Sequence, residues 1–274
     1  MKIEPYKGIA QIYEEIRPSY PEQLIQDIIH KTRLLPDDRL LEIGAGTGKA
    51  TVLFAEKGYS IHAIELGQDM ADIFKKKCSG YPGVTIDVGP FEEWTDQKNR
   101  KYDMIFSAQA FDWLDKDRKY RKCHALLKDH GFMALFWYRP SNDKLPITIE
   151  IDRQVNRIID KYIAEYYSDG GKVDRITRQD QPVQNGVMDS RQIEIEESGL
   201  FQLVDKSEYT YAERDNASQY IKALKSVPAY AAILDGIVDK LVVRMDREIE
   251  QVIQSFGGYV DVVFHYTLYI AQKL

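Results

Sequence analysis

The sequence has only two cysteines, Cys78 and Cys123, and neither stands in a CxxC or Cys/His spacing. A disulfide framework and a structural zinc site are therefore not expected, and no other metal site is indicated. No stretch approaches the roughly 18 uninterrupted apolar residues of a membrane span. The N-terminal MKIEPYKGIA also lacks an apolar signal segment. We therefore expect a soluble, cytoplasmic protein.

The chain also lacks an excess of positive charge. Its 274 residues include 37 Lys and Arg against 43 Asp and Glu, for a net charge of −6. A field of this sign does not attract a polyanion, so nucleic acid would have to bind a local basic patch. We therefore expect a small-molecule partner, no nucleic acid and no membrane, with a monomer or homodimer as the assembly.

Short apolar runs alternate with amphipathic segments in residues 39–139. RLLEIG, YSIHAIEL, GVTIDVG, KYDMIFSAQAF and FMALFWY predict five strands, and the segments between most of them predict helices. We expect the last of these helices to end with Gly131 as its C′ residue. Such alternation predicts an α/β fold with a parallel sheet and helices on both faces.

Three further segments flank this alternation. Residues 1–38 contain an amphipathic helix that begins after Pro21, and we interpret them as an N-terminal lid and helix. Residues 140–200 contain a helical stretch and polar runs, and we interpret them as an insertion or cap. Residues 201–274 add two strands separated by helices. The whole chain is therefore predicted to form one domain with a seven-stranded, mostly parallel, Rossmann-like sheet.

The most informative motif is the glycine turn after the first strand, LLEIGAGTGKAT. Its glycines stand at alternate positions, Gly44, Gly46 and Gly48. The missing side chains allow a ligand to lie against the backbone at the carboxyl end of the strand, where open α/β sheets bind ligands. The sequence does not match a P-loop, because Ile43 stands where its first glycine belongs and Ala50 where its Ser or Thr belongs. Lys49 stands where a dinucleotide fingerprint requires its third glycine, which weakens an NAD site without excluding it.

The spacing E-x-G-x-G-x-G, with Glu42 as its acidic residue, resembles the first motif of class I S-adenosylmethionine-dependent methyltransferases. EEIRPSYP, AQAFDWL and FWYRP resemble runs of the methyltransferase type 11 and trans-aconitate methyltransferase-like subgroup. Asp112 replaces the His of that subgroup, and Leu114 replaces a Phe. The resemblance covers most of the chain, and residues 141–200 match least. It implies a methyltransferase with S-adenosylmethionine as its cofactor.

The resemblance implies cofactor contacts from the ends of four strands. Glu42 would accept hydrogen bonds from the ammonium group of the cofactor. Glu65, at the end of the second strand, would bind both ribose hydroxyls. Met70 and Phe91 have an alternative as ordinary core residues. The expected cofactor-binding residues are Glu42, Gly44, Ala45, Gly46, Gly48, Glu65, Leu66, Met70, Gly89, Pro90, Phe91, Ser107 and Gln109.

A second set of residues is expected around the mouth of the same site. The expected substrate-binding residues are Tyr13, Arg17, Tyr20, Phe111, Trp113, Trp137 and Tyr138. Aromatic faces can stabilise a sulfonium charge or bind an apolar acceptor, with core packing as the alternative. Arg17 has the option of pairing with a carboxylate of the cofactor or of an acidic substrate. No general base stands out, and Asp112 and Trp113 are the catalytic candidates, since Asp112 takes the place of the subgroup's His.

These expectations favour methyl transfer from S-adenosylmethionine to a small-molecule acceptor, with oxygen as the favoured acceptor atom and nitrogen next. An NAD-linked oxidoreductase and a non-catalytic module that binds S-adenosylmethionine are the alternatives. RNA methylation remains open if residues 140–200 or the tail form a basic patch. The local motifs of pyrimidine-methylating and DNA amino-methylating enzymes are absent.

Overall fold

Seven strands form a single sheet. The computed structural model describes residues 8, 10–141, 145–168, 190–225 and 239–274. The strands are β1 (Arg39–Ile43), β2 (Ser60–Glu65), β3 (Val84–Val88), β4 (Tyr102–Ala108), β5 (Leu127–Pro140), β6 (Phe201–Asn216) and β7 (Tyr259–Lys273). Their order in the sheet is β3-β2-β1-β4-β5-β7-β6. The strands β1 to β5 pair in parallel, and β7 is antiparallel to both of its neighbours. The predicted α/β fold is confirmed.

Helices connect the strands and cover both faces of the sheet. They are α1 (Ala10–Ile16), α2 (Glu22–Thr32), α3 (Lys49–Ala55), α4 (Gln68–Lys77), α5 (Lys116–Leu126), α6 (Pro146–Ser168), α7 (Ser190–Glu197), α8 (Ala217–Lys225) and α9 (Asp239–Ser255). A 3₁₀ turn, Phe111–Trp113, follows β4. The polar runs DGGK and QDQPVQNG of the predicted insertion lie outside the described residues. Within the described part of the chain, no helix is long and apolar enough to cross a membrane.

The two faces of the sheet bury separate apolar clusters. The cluster beneath α2 and α3 contains Ile25, Phe54 and Phe136. The cluster beneath α5 and α7 contains Cys123 and Trp137. Because successive side chains of a strand point to opposite faces, the neighbours Phe136 and Trp137 belong to different clusters. This alternation decides which strand residues can reach a ligand site.

A third apolar cluster lies away from the centre of the sheet. It joins α6 to α8 and α9 through buried side chains such as Ile151, Ala217 and Ile249. Thr148 on α6 also donates its hydroxyl to the Asp261 carbonyl of β7, at 2.9 Å. This helical layer therefore combines a helix of the predicted insertion with two helices of the tail. The domain boundaries given above remain a prediction.

The end of α5 differs from the prediction. The helix ends at Leu126, and the chain turns into β5 before Gly131. The pairing of β4 with β5 is irregular there, and His130 has a positive φ of 61°. A Cβ at position 131 would lie 3.0 Å from the Asp103 carbonyl oxygen. Gly131 is therefore needed for close packing against β4, not as a helix cap.

Candidate active site

The glycine turn connects β1 to α3 through three residues in the left-handed region. The φ angles of Gly44, Gly46 and Gly48 are 69°, 57° and 84°. A Cβ at Gly44 would lie 2.2 Å from the Cβ of Ala110, and one at Gly48 would lie 3.0 Å from the ring of Phe74. A Cβ at Gly46 would meet no atom within 4 Å. Packing therefore requires two of the glycines, whereas Gly46 leaves open space beside the backbone.

A pocket lies over this turn. It encloses about 320 Å³, including space open to solvent. Its lining residues are Tyr13, Pro18, Tyr20, Glu42, Gly44, Ala45, Gly46, Thr47, Lys49, Ala50, Ala108 and Tyr138. The structure therefore brings Tyr13 and Tyr20 of the N-terminal segment, Glu42 of β1 and Tyr138 of β5 together around one cavity.

Glu42 is the buried acid of this pocket, with only 1% of the residue exposed. Thr51 on α3 donates its hydroxyl to the carboxyl group. Burial raises the pKa of Glu42 to about 8, against the lowering effect of the Thr51 hydrogen bond, and the charge of Glu65 contributes to the rise. The carboxyl group is therefore mostly protonated at neutral pH, and a cation beside it would favour its ionised form.

Thr47 is a lining residue that is missing from the expected set. Only 1% of it is exposed, and its hydroxyl finds no hydrogen-bond partner among the described residues. Leaving a buried hydroxyl unsatisfied costs about 1–3 kcal/mol. A polar ligand group in the pocket would satisfy it. The only signal in the sequence was its position between two glycines of the turn.

Glu65 joins the end of β2 to the glycine turn. Its two carboxylate oxygens accept hydrogen bonds from the backbone N–H of Gly46, at 2.7 Å, and of Gly67, at 2.9 Å. Burial raises the pKa of Glu65, and these backbone bonds lower it. Each oxygen can accept further hydrogen bonds, so the expected contact with ribose hydroxyls remains chemically possible.

The next expected residues lie after β2 and β3. Gly89 has a φ of 152°, and a Cβ there would meet no atom within 4 Å. Leu66 and Pro90 are half-buried. Met70 and Phe91 are buried with 3% exposed each, which agrees with the alternative as core residues. Their roles toward a cofactor remain predictions.

Two expected cofactor residues at the end of β4 use their side chains within the protein. Ser107 is fully buried and donates its hydroxyl to the Ile43 carbonyl, at 2.8 Å. Gln109 donates its amide to the Tyr138 carbonyl, at 2.9 Å. Neither residue lines the pocket. The two side chains instead connect β4 to its neighbours β1 and β5.

The aromatic residues expected at the mouth are divided between different parts of the molecule. Tyr138 lines the pocket, whereas its neighbour Trp137 packs edge-on against Tyr269 on the opposite face, with ring centroids 5.7 Å apart. Phe111 is buried in the same cluster as Trp137. Trp113 is 66% exposed. The structure does not place Phe111, Trp113 or Trp137 in the pocket lining, because strand alternation and the 3₁₀ turn direct them elsewhere.

Asp112 is held by a residue of the predicted insertion. Arg191 on α7 contacts the Asp112 carboxylate through Nη2, at 2.7 Å, and Nε, at 3.2 Å. The same guanidinium lies 4.2 Å from the ring centroid of Trp137. A role for Asp112 as a base would require this ion pair to break. Arg191 carries no sequence motif, so only the fold reveals this contact. Within the described ranges, no group of three or more His, Cys, Asp or Glu residues is arranged to hold a metal.

Comparison with protein families identifies the central segment. Residues 40–131, from β1 to the bulge of β5, match the family model of a methyltransferase domain. Residues 40–131 therefore form a methyltransferase domain of the class I type. The cofactor of this class is S-adenosylmethionine. The open backbone at Gly46, the unsatisfied hydroxyl of Thr47 and the buried acid Glu42 fit its polar amino-acid end.

Individual relatives agree with this assignment. An uncharacterized methyltransferase from Schizosaccharomyces pombe is 30% identical over 131 residues, or 46% of this chain and 49% of that protein. A malonyl-acyl-carrier-protein O-methyltransferase from Halalkalibacterium halodurans is 27% identical over 142 residues, or 49% and 51%. The chain spans about half the length of these curated relatives. Among solved structures, a provisionally assigned type II methyltransferase from Anaeromyxobacter dehalogenans has a TM-score of 0.56, with 17% identity over 94% of this chain and 97% of that one. This last similarity shows a shared fold.

Proposed function

We propose that this methyltransferase domain transfers a methyl group to a small-molecule acceptor, at oxygen in preference to nitrogen. The observation that carries the proposal is the pocket over the glycine turn. It combines an open glycine, Gly46, with the unsatisfied hydroxyl of Thr47 and the buried carboxyl group of Glu42. All three lie within the segment that matches the methyltransferase family model.

When bound, S-adenosylmethionine supplies a methyl group on a sulfonium sulfur. The protein's part in such a displacement is to hold the reacting groups in line and to exclude water. Glu42, Thr47 and Gly46 would hold the amino-acid end of the cofactor, and Glu65 its ribose. Tyr20 and Tyr138 also line the pocket.

The ionisation state of the lining residues favours some acceptors over others. Among the described residues, no histidine lines the pocket. Burial raises the pKa of Glu42 to about 8 and that of Tyr20 well above its ordinary value, so neither group is an effective base at neutral pH. An acceptor that is already nucleophilic, such as a carboxylate or a free amine, therefore fits better than an alcohol. The relative from Halalkalibacterium halodurans is named as an O-methyltransferase, which favours oxygen.

Calorimetry with S-adenosylhomocysteine tests the proposed cofactor site. The wild-type protein should bind this ligand, and Glu65→Ala should weaken binding at least about tenfold because a carboxylate with several hydrogen bonds is lost. Glu56→Ala is the control, since Glu56 is exposed at the end of α3. A wild-type protein that does not bind S-adenosylhomocysteine would refute the proposal.

The alternatives give different results. Thermal stabilisation by NADH instead of S-adenosylhomocysteine would support an oxidoreductase, since a ligand that prefers the native state raises the melting temperature. Incubation with methyl-labelled S-adenosylmethionine and panels of carboxylic acids, amines and RNA would identify the acceptor class by mass spectrometry. Tight cofactor binding with no labelled product in any panel would support a non-catalytic module.

A further inference from the structure

Lys49 is a cation that lines the pocket, and its ammonium group donates no hydrogen bond to any residue that the structure describes. The side chain of Lys49 is only 18% exposed, and burial lowers the pKa of its ammonium group. Within the described residues its ion-pair partner is Glu14, whose Oε2 lies 3.8 Å from Nζ. That separation is too long for a hydrogen bond. No other acceptor among the described residues forms a hydrogen bond with Lys49, so its ammonium group can donate to an acceptor that enters the pocket.

Glu14 is itself held mainly by another residue. Its Oε1 makes a close ion pair with Lys77 at the end of α4. Glu213 on β6 also attracts the Lys49 ammonium, but its Oε1 accepts the backbone N–H of Ser19, at 2.9 Å. Both acids attract the Lys49 ammonium, against the effects of burial and of the Lys77 charge, but neither accepts a hydrogen bond from it. A partly buried ammonium in this state gains free energy from any carboxylate that enters the pocket.

The expected partner for such a carboxylate was Arg17. In the structure its guanidinium carbon lies 5.5 Å from the ring centroid of Tyr13, and Arg17 is not among the lining residues. Lys49 is among them, and so is Glu42, across the same glycine turn. An acid and a base that line one pocket match a ligand with both an ammonium and a carboxylate group.

We propose that Lys49 binds a carboxylate of a ligand in this pocket, and that Glu14 is an internal substitute which the ligand displaces. The inference rests on the proposed function, because it places a carboxylate-bearing ligand in the same cavity. Two ligands carry such a group: the amino-acid end of the cofactor, and an organic-acid acceptor. The chemistry at Lys49 is the same for both.

Two nucleosides distinguish a carboxylate of the cofactor from a carboxylate of the acceptor. S-adenosylhomocysteine carries the amino-acid end, and 5′-methylthioadenosine lacks it. In calorimetry, Lys49→Gln should lower the affinity for S-adenosylhomocysteine about 10- to 100-fold and leave the affinity for methylthioadenosine unchanged. Lys49→Arg, which keeps the charge, should restore most of the loss. Glu14→Gln should tighten S-adenosylhomocysteine binding about threefold, since it removes a weak competitor. Glu15→Gln is the matched control on α1, because Glu15 pairs with Lys222 and does not line the pocket.

The remaining outcomes are also decisive. If Lys49→Gln leaves the affinity for both nucleosides unchanged, succinate and citrate are titrated into the wild-type and variant proteins, each loaded with S-adenosylhomocysteine. Loss of their binding in the variant would support Lys49 as the site of an acceptor carboxylate, and equal binding would overturn the inference. If Lys49→Gln does not fold, an unchanged S-adenosylhomocysteine affinity in Glu14→Gln overturns it. A wild-type protein that binds neither nucleoside refutes the proposed function itself, whereas normal wild-type binding with unaffected variants refutes only the role of Lys49.

Discussion

Glu42→Gln should remove a pH-dependent loss of stability from this protein. Burial raises the pKa of Glu42 from an ordinary 4.5 to about 8 in the folded state. Glutamine has nearly the same size, and its side-chain oxygen can still accept the Thr51 hydroxyl. The substitution therefore removes the titrating proton while it preserves most of the packing. The difference between the two proteins should report the protonation of this single group.

The direction of this pH dependence follows from the proton affinities of Glu42 in the folded and unfolded states. The folded state binds the proton of Glu42 more tightly than the unfolded chain does. The stabilising contribution of that proton is therefore complete below about pH 4.5, declines as the pH rises, and is lost above about pH 8. At about 1.4 kcal/mol per pKa unit, the whole change is about 5 kcal/mol. Between pH 5.5 and 7.5 the slope should be about 1.4 kcal/mol per pH unit.

Urea unfolding of both proteins across pH 5.5–8.0 measures this slope. The free energy of unfolding of the wild-type protein, minus that of Glu42→Gln, should fall by about 1.4 kcal/mol for each pH unit. Glu56→Gln is the control substitution, because Glu56 is exposed. Parallel curves for wild type and Glu42→Gln would refute the reasoning, since they would mean that Glu42 ionises in the fold as easily as in the unfolded chain.

Four further predictions concern the pocket, the glycine turn and the 3₁₀ turn after β4. Because a cofactor ammonium favours ionised Glu42, the S-adenosylhomocysteine affinity of wild type should rise up to about tenfold per pH unit between pH 6 and 8 and stay nearly flat in Glu42→Gln, by calorimetry. Gly44→Ala should lower the free energy of unfolding by about 2 kcal/mol or more, since its Cβ would lie 2.2 Å from that of Ala110. Gly46→Ala should cost only about 1 kcal/mol, from its positive φ, while it weakens ligand binding; equal unfolding losses in both variants would contradict this. Trp113→Ala should change urea unfolding by less than about 0.5 kcal/mol because the indole is 66% exposed.

The fold was predictable because its signals are local. β1 reads RLLEI and buries four consecutive residues, as expected for a parallel strand covered on both faces. The glycine turn was predictable for the same reason, since its left-handed φ angles favour glycine at three alternate positions. The end of α5 was predicted wrongly because Gly131 has the sequence position of a helix cap but packs against β4.

The candidate site was predictable only in part. Glu42 and the glycines follow directly from the motif. Tyr20 and Tyr138 line the pocket, and their role in substrate binding stays a prediction. Trp137 and Tyr138 were both expected at the mouth of the site, and they are adjacent in sequence. A strand directs adjacent side chains to opposite faces, so the same adjacency places Trp137 beneath α5 and α7.

The sequence by itself determined the order of elements, the parallel sheet and the position of the glycine turn, because hydrophobic period and backbone conformation are encoded over a few residues. Tertiary structure alone decided which polar groups lack partners. The unsatisfied hydroxyl of Thr47 and the loosely paired ammonium of Lys49 depend on what α1, α3 and α4 bring next to them. Hydrogen-bond satisfaction is a property of neighbours that are distant in sequence, so it becomes visible only once the chain has folded.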